Sequence, residues 1–566
     1  YIMGQAAPGY RVFSGRVCKR YTYVVLLSFG LCFLVLRYTG GPKGIESQQV
    51  TNAVNSRLLL QNMNPLAVTS PTKPFDLSQW LNQEPSVDNS YKYKSDLEYV
   101  KEIQSTYPNF PVVYWKNVKG NMQKNKTCAK FPNIYDLNFN NLYWQMLLST
   151  NGTFYLYGAY YDNRTTVQLR PVVRILGMID RIQPTVKTYC QMWFVNKTAP
   201  LIVPVMEYKY IWVHKWGNYK QGVLSPYLIG CRVPSNIKEI PEVVSLVEKQ
   251  CDTATNSLRV IYDKPKEKKD FAVCVKGLDF PRQDFSVRLV EWIELLQILG
   301  AQKIFMYQLE VHPNISKILN YYVKSGFVDL TPITLPGKQP NLPGFMHLYL
   351  KAKVNNKRQN ELIPYNDCMY KNMYKYKYVV LLDTDEVIMP MRKASWGEMM
   401  GDVEAEAKVV KPVPIASYNV RNVYFLDDLQ HEHGWYDDIP KFMHMLQHVF
   451  RSRNFTKPGQ YIKSFHSTER VLTLHNHYPL ACLEGSCKSY AISTNDAQLQ
   501  HYRKDCVKTL KKSCATDYRD HSVEDKTIWR YKEELIARTT EVLQQLGFFD
   551  NIGSTDSSEQ LVSRKR

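Results

Sequence analysis

The chain has 566 residues, enough for three or four domains and for cores that need no staple merely to fold. Hydrophobic residues make up 44% and charged residues 22%, which excludes a disordered, collagen-like or multi-span membrane protein. The formal net charge of +20 points to acidic partners: nucleic acid, an anionic membrane surface or phosphate-bearing substrates.

The first informative segment, Tyr23 to Leu36, reads YVVLLSFGLCFLVL, with Arg11, Arg16, Lys19 and Arg20 before it and Arg37 after it. Sixteen residues separate Arg20 from Arg37, or ~24 Å of helix, short of a ~30 Å bilayer core. Snorkelling arginines and a thin early-secretory membrane close that gap. No small-x-small cleavage site follows, so 21–37 is expected to be an uncleaved anchor. The upstream basic residues place 1–20 in the cytosol and the remainder in the lumen.

Two features agree with that side. Six N-x-S/T sequons follow the anchor, at Asn125, Asn151, Asn163, Asn196, Asn314 and Asn454. Of the 12 cysteines, Cys18 and Cys32 lie at the membrane, which leaves an even number beyond it. Cys482/Cys487 and Cys506/Cys514 are close pairs suited to short disulfide loops. Their spacings do not fit zinc knuckles.

Residues 38–109 are poor in periodic pattern and read as a stem. Residues 110–263 look strand-rich, as in Thr153–Tyr157, Val167–Ile175 and Tyr208–His214, and are expected to form a separate β domain. A charged linker, 264–270, follows. The rhythm then changes. Phe271–Val275 reads as strand, Ser286–Leu299 as helix capped by Gly300, Lys303–Tyr307 as strand, Ile315–Lys324 as helix, and Phe327–Pro332 as strand. Tyr378–Leu382 (YVVLL) is a continuous apolar run, typical of a central strand covered on both faces. This alternation predicts an α/β domain over 270–517 with a parallel sheet, whose ligands bind beyond the C-terminal strand ends. Residues 518–566 are expected to hold one helix, Val523–Leu546, and a polar tail.

The strand at 378–382 runs into Asp383-Thr384-Asp385-Glu386, three carboxylates where this fold class keeps its ligand. Acids at i and i+2 on a strand-end turn can aim at one hard cation, and Mn²⁺ or Mg²⁺ suits such oxygen ligands. The cation would neutralise a diphosphate leaving group. D-x-D alone is weak, and an isolated one is usually an exposed acidic turn.

The stretch 271–503 resembles glycosyltransferase family 92. The resemblance rests on Val290-Glu291-Trp292-Ile293-Glu294 with Leu299-Gly300-Ala301, Tyr365-Asn366-Asp367-Cys368, Leu382 to Ile388, and His501-Tyr502-Arg503. It implies a GT-A fold, a nucleotide-sugar donor, a divalent metal, and inversion at the anomeric carbon. It also implies galactose transfer from UDP-galactose, since characterised members are largely galactosyltransferases. They include a nematode enzyme that extends core fucose and avian enzymes that form Galβ1-4Gal on N-glycans. A type II Golgi protein acting on glycoprotein N-glycans is the resulting expectation, with a terminal β-galactoside as acceptor in β1,4 linkage. The same reaction on core fucose or another acceptor, or a non-catalytic lumenal glycan-binding protein, are the alternatives.

Roles follow from the chemistry. Asp385 is expected to ligate the metal, with Asp383 on the ribose or the metal. Glu386 either joins them or holds the turn. The implied GT-A fold often takes a further metal ligand from a His near the domain's end; His475 and His477, which alternate as a strand would, are the candidates, with a structural role equally open. Lys463, His501 and Arg503 are candidates for the diphosphate, and the resemblance implies that Asn366 and Asp367 bind the donor or brace the site. Inversion requires a general base. Asp437 and Asp438 are the candidates, beside Trp435 as a sugar-stacking ring. The anchor, the sequons and the dispersal of the basic residues argue against nucleic acid as a partner.

Overall fold

A computed structural model describes residues 94–117, 124–167, 170–506 and 514–549, together with Ser78 and Leu81. The expected tail, anchor and most of the stem lie outside these residues, as does the chain end after 549. Among the described residues no helix is long and apolar enough to cross a membrane. Residues 94–109, expected as stem, are folded. A helix already spans Asp96–Thr106, closed by a Ser95/Glu98 capping box, and Asn109 donates to the Tyr157 carbonyl.

Nine strands between Phe139 and Ile261 form one sheet, antiparallel except for the pairing of Gly152–Asp162 with Leu258–Ile261. A second sheet has seven strands in the order Val328–Pro332, Lys303–Val311, Lys269–Phe280, Tyr376–Leu381, Lys463–Ser467, Ser417–Val420, Ser489–Ala491. Its first four strands are parallel. They are joined by the helices Ser286–Ile298, Pro313–Lys324 and Val354–Asn372. Gly300 and Gly326 end the first two at φ of 103° and 79°, where a side chain would be strained. The expected helix at 523–546 divides into a strand Ser522–Glu524, a 3₁₀ turn Thr527–Tyr531 and a helix Lys532–Gln545.

The central strands are apolar throughout because both faces are covered. Val273, Val275 and Val380 face the core built with the helices Ser286–Ile298, Pro313–Lys324, Trp396–Val410 and Lys532–Gln545. Ala272, Cys274, Val379 and Leu381 face the opposite way, into a core built with the helix Val354–Asn372. That second core also takes Trp144, Tyr157 and Tyr160 from the nine-stranded sheet. The β-rich segment is therefore not separate: residues 94–549 lie within one compact unit, Lys94–Arg566. Polar bonds cross the same boundary. Arg164, fully buried, holds Asp162 and donates to the Thr468 and Val471 carbonyls, each at 2.7 Å.

Disulfides join Cys482–Cys487 and Cys506–Cys514, as expected, and also Cys128–Cys251, Cys190–Cys231 and Cys274–Cys368. Among the sequon asparagines, Asn125 is buried and its amide donates to the Ala129 carbonyl, so in this fold it cannot carry a glycan. Asn151, Asn163, Asn196 and Asn454 are exposed.

Candidate active site

The strand order changes direction between Lys269–Phe280 and Tyr376–Leu381, and a crevice opens where such sheets hold ligands. Asp383, Thr384 and Asp385 lie at its floor, in a cleft of about 490 Å³ that Val275, Lys276, Arg288, Lys357, His444 and Arg503 also line. The turn is held by its own last residue. Glu386 Oε2 accepts from the Asp383 N–H at 3.0 Å, and the Glu386 N–H donates to the Asp383 carbonyl at 3.0 Å. Glu386 is buried and structural, which decides between its two expected roles. Trp292 donates to the Glu386 carbonyl at 2.8 Å, so the Glu291-Trp292 segment braces the same turn.

Sheet register brings the third part. The strand Ala497–Arg503 pairs antiparallel with Glu386–Pro390, placing His501 opposite Glu386, and the Tyr502 N–H donates to the Asp385 carbonyl at 2.9 Å. His501 Nε2 then stands 3.4 Å from Asp385 Oδ2. His501 Nδ1 is 3.1 Å from Asn422 Oδ1; donation to that oxygen leaves the Nε2 lone pair between Asp385 and Arg503 Nη1, the latter also at 3.4 Å. Two ligand atoms at this separation can share one divalent cation at ~2.0–2.2 Å. The Asp385 side chain is 46% exposed towards the cleft.

Asp383 sits between two ammonium groups, Lys276 Nζ at 3.0 Å and Lys463 Nζ at 3.5 Å. Burial alone would raise its pKa, but Lys276 and Lys463 outweigh that and hold it far below the carboxylate range. Burial opposes the charge on Lys276 as well, and Asp383 and Glu361 reverse the effect, so its pKa rises. For Asp385, burial is again opposed by His501 and Arg503, and the net shift is downward. Glu386 goes the other way: burial outweighs Lys463, and its pKa is raised.

Several expected roles are corrected. Lys463 is fully buried beneath the turn, 3.0 Å from Glu386, and cannot reach a diphosphate in the cleft. Lys276, Lys357, Arg288 and Arg503 are the cations that line it. His475 and His477 are not on a strand. The strand Val471–Leu474 ends in a turn closed by the His475 N–H and the Tyr478 carbonyl. There His475 packs on Trp216 with ring centroids 4.4 Å apart, and His477 Nδ1 lies 2.9 Å from the Ile462 carbonyl. Burial, then Lys463, lowers both, to about 4 and about 3, and the side chain beside Asp385 is His501 instead. Asn366 exchanges hydrogen bonds with the backbone of Leu474. Asp367 accepts from Tyr160 and Tyr307 and is 2.7 Å from Lys371, inside the core shared with the nine-stranded sheet. Both brace the fold and neither lines the cleft.

Asp437 and Asp438 are exposed, and Asp438 pairs with Lys532 on the surface. They do not line the second cleft of about 420 Å³, which continues the first past Phe285, Arg288 and His444. Trp435, Asp284, Asp427, His431 and His448 line it. Asp427, His444 and His448 also come together here; the spacing of four between His444 and His448 is the signal the sequence offers for them. Burial, followed by His448 and Arg288, keeps the His444 pKa well below that of ordinary imidazole.

Residues 269–539 match the model described as glycosyltransferase family 92. This segment is a glycosyltransferase family 92 domain. The match spans the whole seven-stranded sheet and extends through most of the C-terminal helix, Lys532–Gln545. The chain is also similar to beta-1,4-galactosyltransferase galt-1 of Caenorhabditis elegans, with 25% identity over 179 residues. That alignment covers 30% of this chain and 38% of the nematode protein, so the chain spans well under half of that relative. Among solved structures, the WbbM bifunctional glycosyltransferase in its apo form aligns at 12% identity, over 32% of this chain and 28% of that one. Its TM-score of 0.16 is too low to bear on the fold. Within the family 92 domain, Trp292 and the strand segment His501–Tyr502 meet the Asp383–Glu386 turn.

Proposed function

We propose that the chain is an inverting, divalent-cation-dependent glycosyltransferase that moves galactose from UDP-galactose to a terminal β-galactoside of a glycoprotein N-glycan in β1,4 linkage. The carrying observation is the Asp385–His501 pair at the crevice of a family 92 domain, with four cations lining the same cleft. Asp385 and His501 would hold Mn²⁺ or Mg²⁺, and the ion, when bound, would offset charge developing on the diphosphate. Asp383, clamped by Lys276, presents a fixed acceptor to the ribose side of the donor. Arg503 and Lys357 attract the phosphates, and Trp435 offers a half-exposed ring for an acceptor sugar in the adjoining cleft. Location in the Golgi lumen behind an N-terminal anchor fits the five disulfides.

The test is transfer by the purified protein from a panel of UDP-sugars to an arrayed glycan library, with Mn²⁺, Mg²⁺ or chelator. Galactose transfer that stops on chelation is expected. Undiminished transfer in EDTA, or by Asp385→Asn, refutes the assigned cation role. Transfer of a different sugar refutes the donor.

A further inference from the structure

A second constellation lies outside the Asp385 turn. His444 and His448 are four residues apart, on and just after the one-turn helix His444–Gln447, and their rings stand 3.9 Å apart. Two histidines at this spacing present their rings on one helical face, the arrangement that many zinc sites use. The third member is Asp427, which opens the helix Asp427–His433. One ligand atom from each of the three lies within 4.8 Å of the other two. His448 Nδ1 is 2.6 Å from the His444 carbonyl, and donation to that oxygen leaves Nε2 as a lone pair. That lone pair faces Asp427 Oδ1 at 3.4 Å, a buried carboxylate oxygen without a hydrogen bond of ordinary geometry. Either a proton on Nε2 or a metal cation between the two atoms satisfies both. Atoms bound at 2.0–2.1 Å to one tetrahedral ion lie about 3.3–3.4 Å apart, which is the spacing found.

The histidines are also held in place. Glu291, fully buried on the helix Ser286–Ile298, accepts from the N–H groups of Met445 and Leu446 at 2.9 and 3.1 Å, fixing the turn that carries His444. All three side chains line the second cleft, so a fourth coordination position opens onto it.

We infer that Asp427, His444 and His448 form a tetrahedral site for a divalent transition metal, zinc by its ligand chemistry, in the second cleft and distinct from the Asp385–His501 pair. Imidazole-rich sets favour Zn²⁺, whereas the carboxylate at the donor turn suits harder ions, so the two sites would separate by metal type.

The test is metal loading of the purified full chain, stripped with chelator and titrated with Co²⁺, a spectroscopic stand-in for zinc. Wild-type protein and Asp385→Asn are both expected to develop the intense visible bands of tetrahedral cobalt, displaced by Zn²⁺ at about one equivalent. His448→Gln is expected to lose them. Asp427→Asn, whose side chain is partly exposed and changes little in shape, is expected to weaken Co²⁺ binding about tenfold or more and serves if His448→Gln does not fold. Absence of the bands in wild type overturns the inference and leaves the cluster as an ion pair. So does their loss in Asp385→Asn with retention in His448→Gln.

Discussion

Lys463 offers the sharpest test of how the turn is held. Its side chain is fully buried, with Nζ 3.0 Å from Glu386, 3.5 Å from Asp383 and 2.5 Å from Asn476 Oδ1. Lys463→Met keeps most of the volume and removes the charge. Asp383 retains Lys276 at 3.0 Å, so the loss falls on Glu386, which is left with one backbone N–H and with His501 Nδ1 at 3.6 Å. Removing one partner of a buried pair costs ~3–5 kcal/mol, and the second cation on Asp383 sets the expectation near the lower figure, about 3 kcal/mol. Equilibrium urea unfolding measures it. Lys463→Met/Glu386→Gln should recover part of the loss, because the orphaned charge is gone. The deficit should also shrink towards acid, where Glu386 takes up a proton. A shift no larger than that of Lys377→Met, an exposed pair worth ~0–1 kcal/mol, would refute the reasoning, as would simple additivity in the double variant.

Three further outcomes are expected. Burial raises the Glu291 pKa to about 7, so its contribution is full below the unfolded value near 4.5 and is lost as pH rises through 7. Relative to Glu291→Gln, wild type should lose roughly 3 kcal/mol of stability between those pH values, and a flat difference in paired urea titrations sinks the assignment. Tyr160→Phe should cost about 1.5–3 kcal/mol by leaving the buried Asp367 short of a donor, with UDP affinity unchanged by calorimetry. A tenfold loss of UDP affinity would instead return Asp367 to the donor site. His501→Ala should lower transfer by about 10²-fold or more and weaken Mn²⁺ binding in the presence of UDP; unchanged Mn²⁺ affinity refutes the pairing with Asp385.

Much of the frame was legible without coordinates. The strands at 271–275, 303–307 and 378–382, and the helices at 286 and 315, show in periodicity because the central sheet is covered on both faces and its helices on one. The Asp383–Glu386 turn was located by the rule that such sheets bind ligands at strand ends. Errors arose where a local pattern had more than one tertiary use. The alternation of His475 and His477 imitates a strand, yet Leu474 is the last strand residue, and the turn sends both rings into aromatic and backbone contacts. Lys463 looked available to phosphate because burial cannot be read from a lone lysine. Asp437 and Asp438 looked suited to catalysis because acidity next to a tryptophan is common to clefts and to surfaces.

The sequence alone determined the fold class, the place of the acidic turn and the cysteine pairs closest in the chain, since each depends on contacts between near neighbours or on a period. Tertiary structure decided the rest. It placed His501 beside Asp385 through strand register, Lys276 beside Asp383 across a parallel pair, and Asp427 beside His448 across two helices. Residues 21, 107 and 116 positions apart meet there, and no local pattern encodes such distances. It also joined the β-rich segment to the family 92 domain, because Trp144, Tyr157 and Tyr160 need the helix Val354–Asn372 to complete their burial.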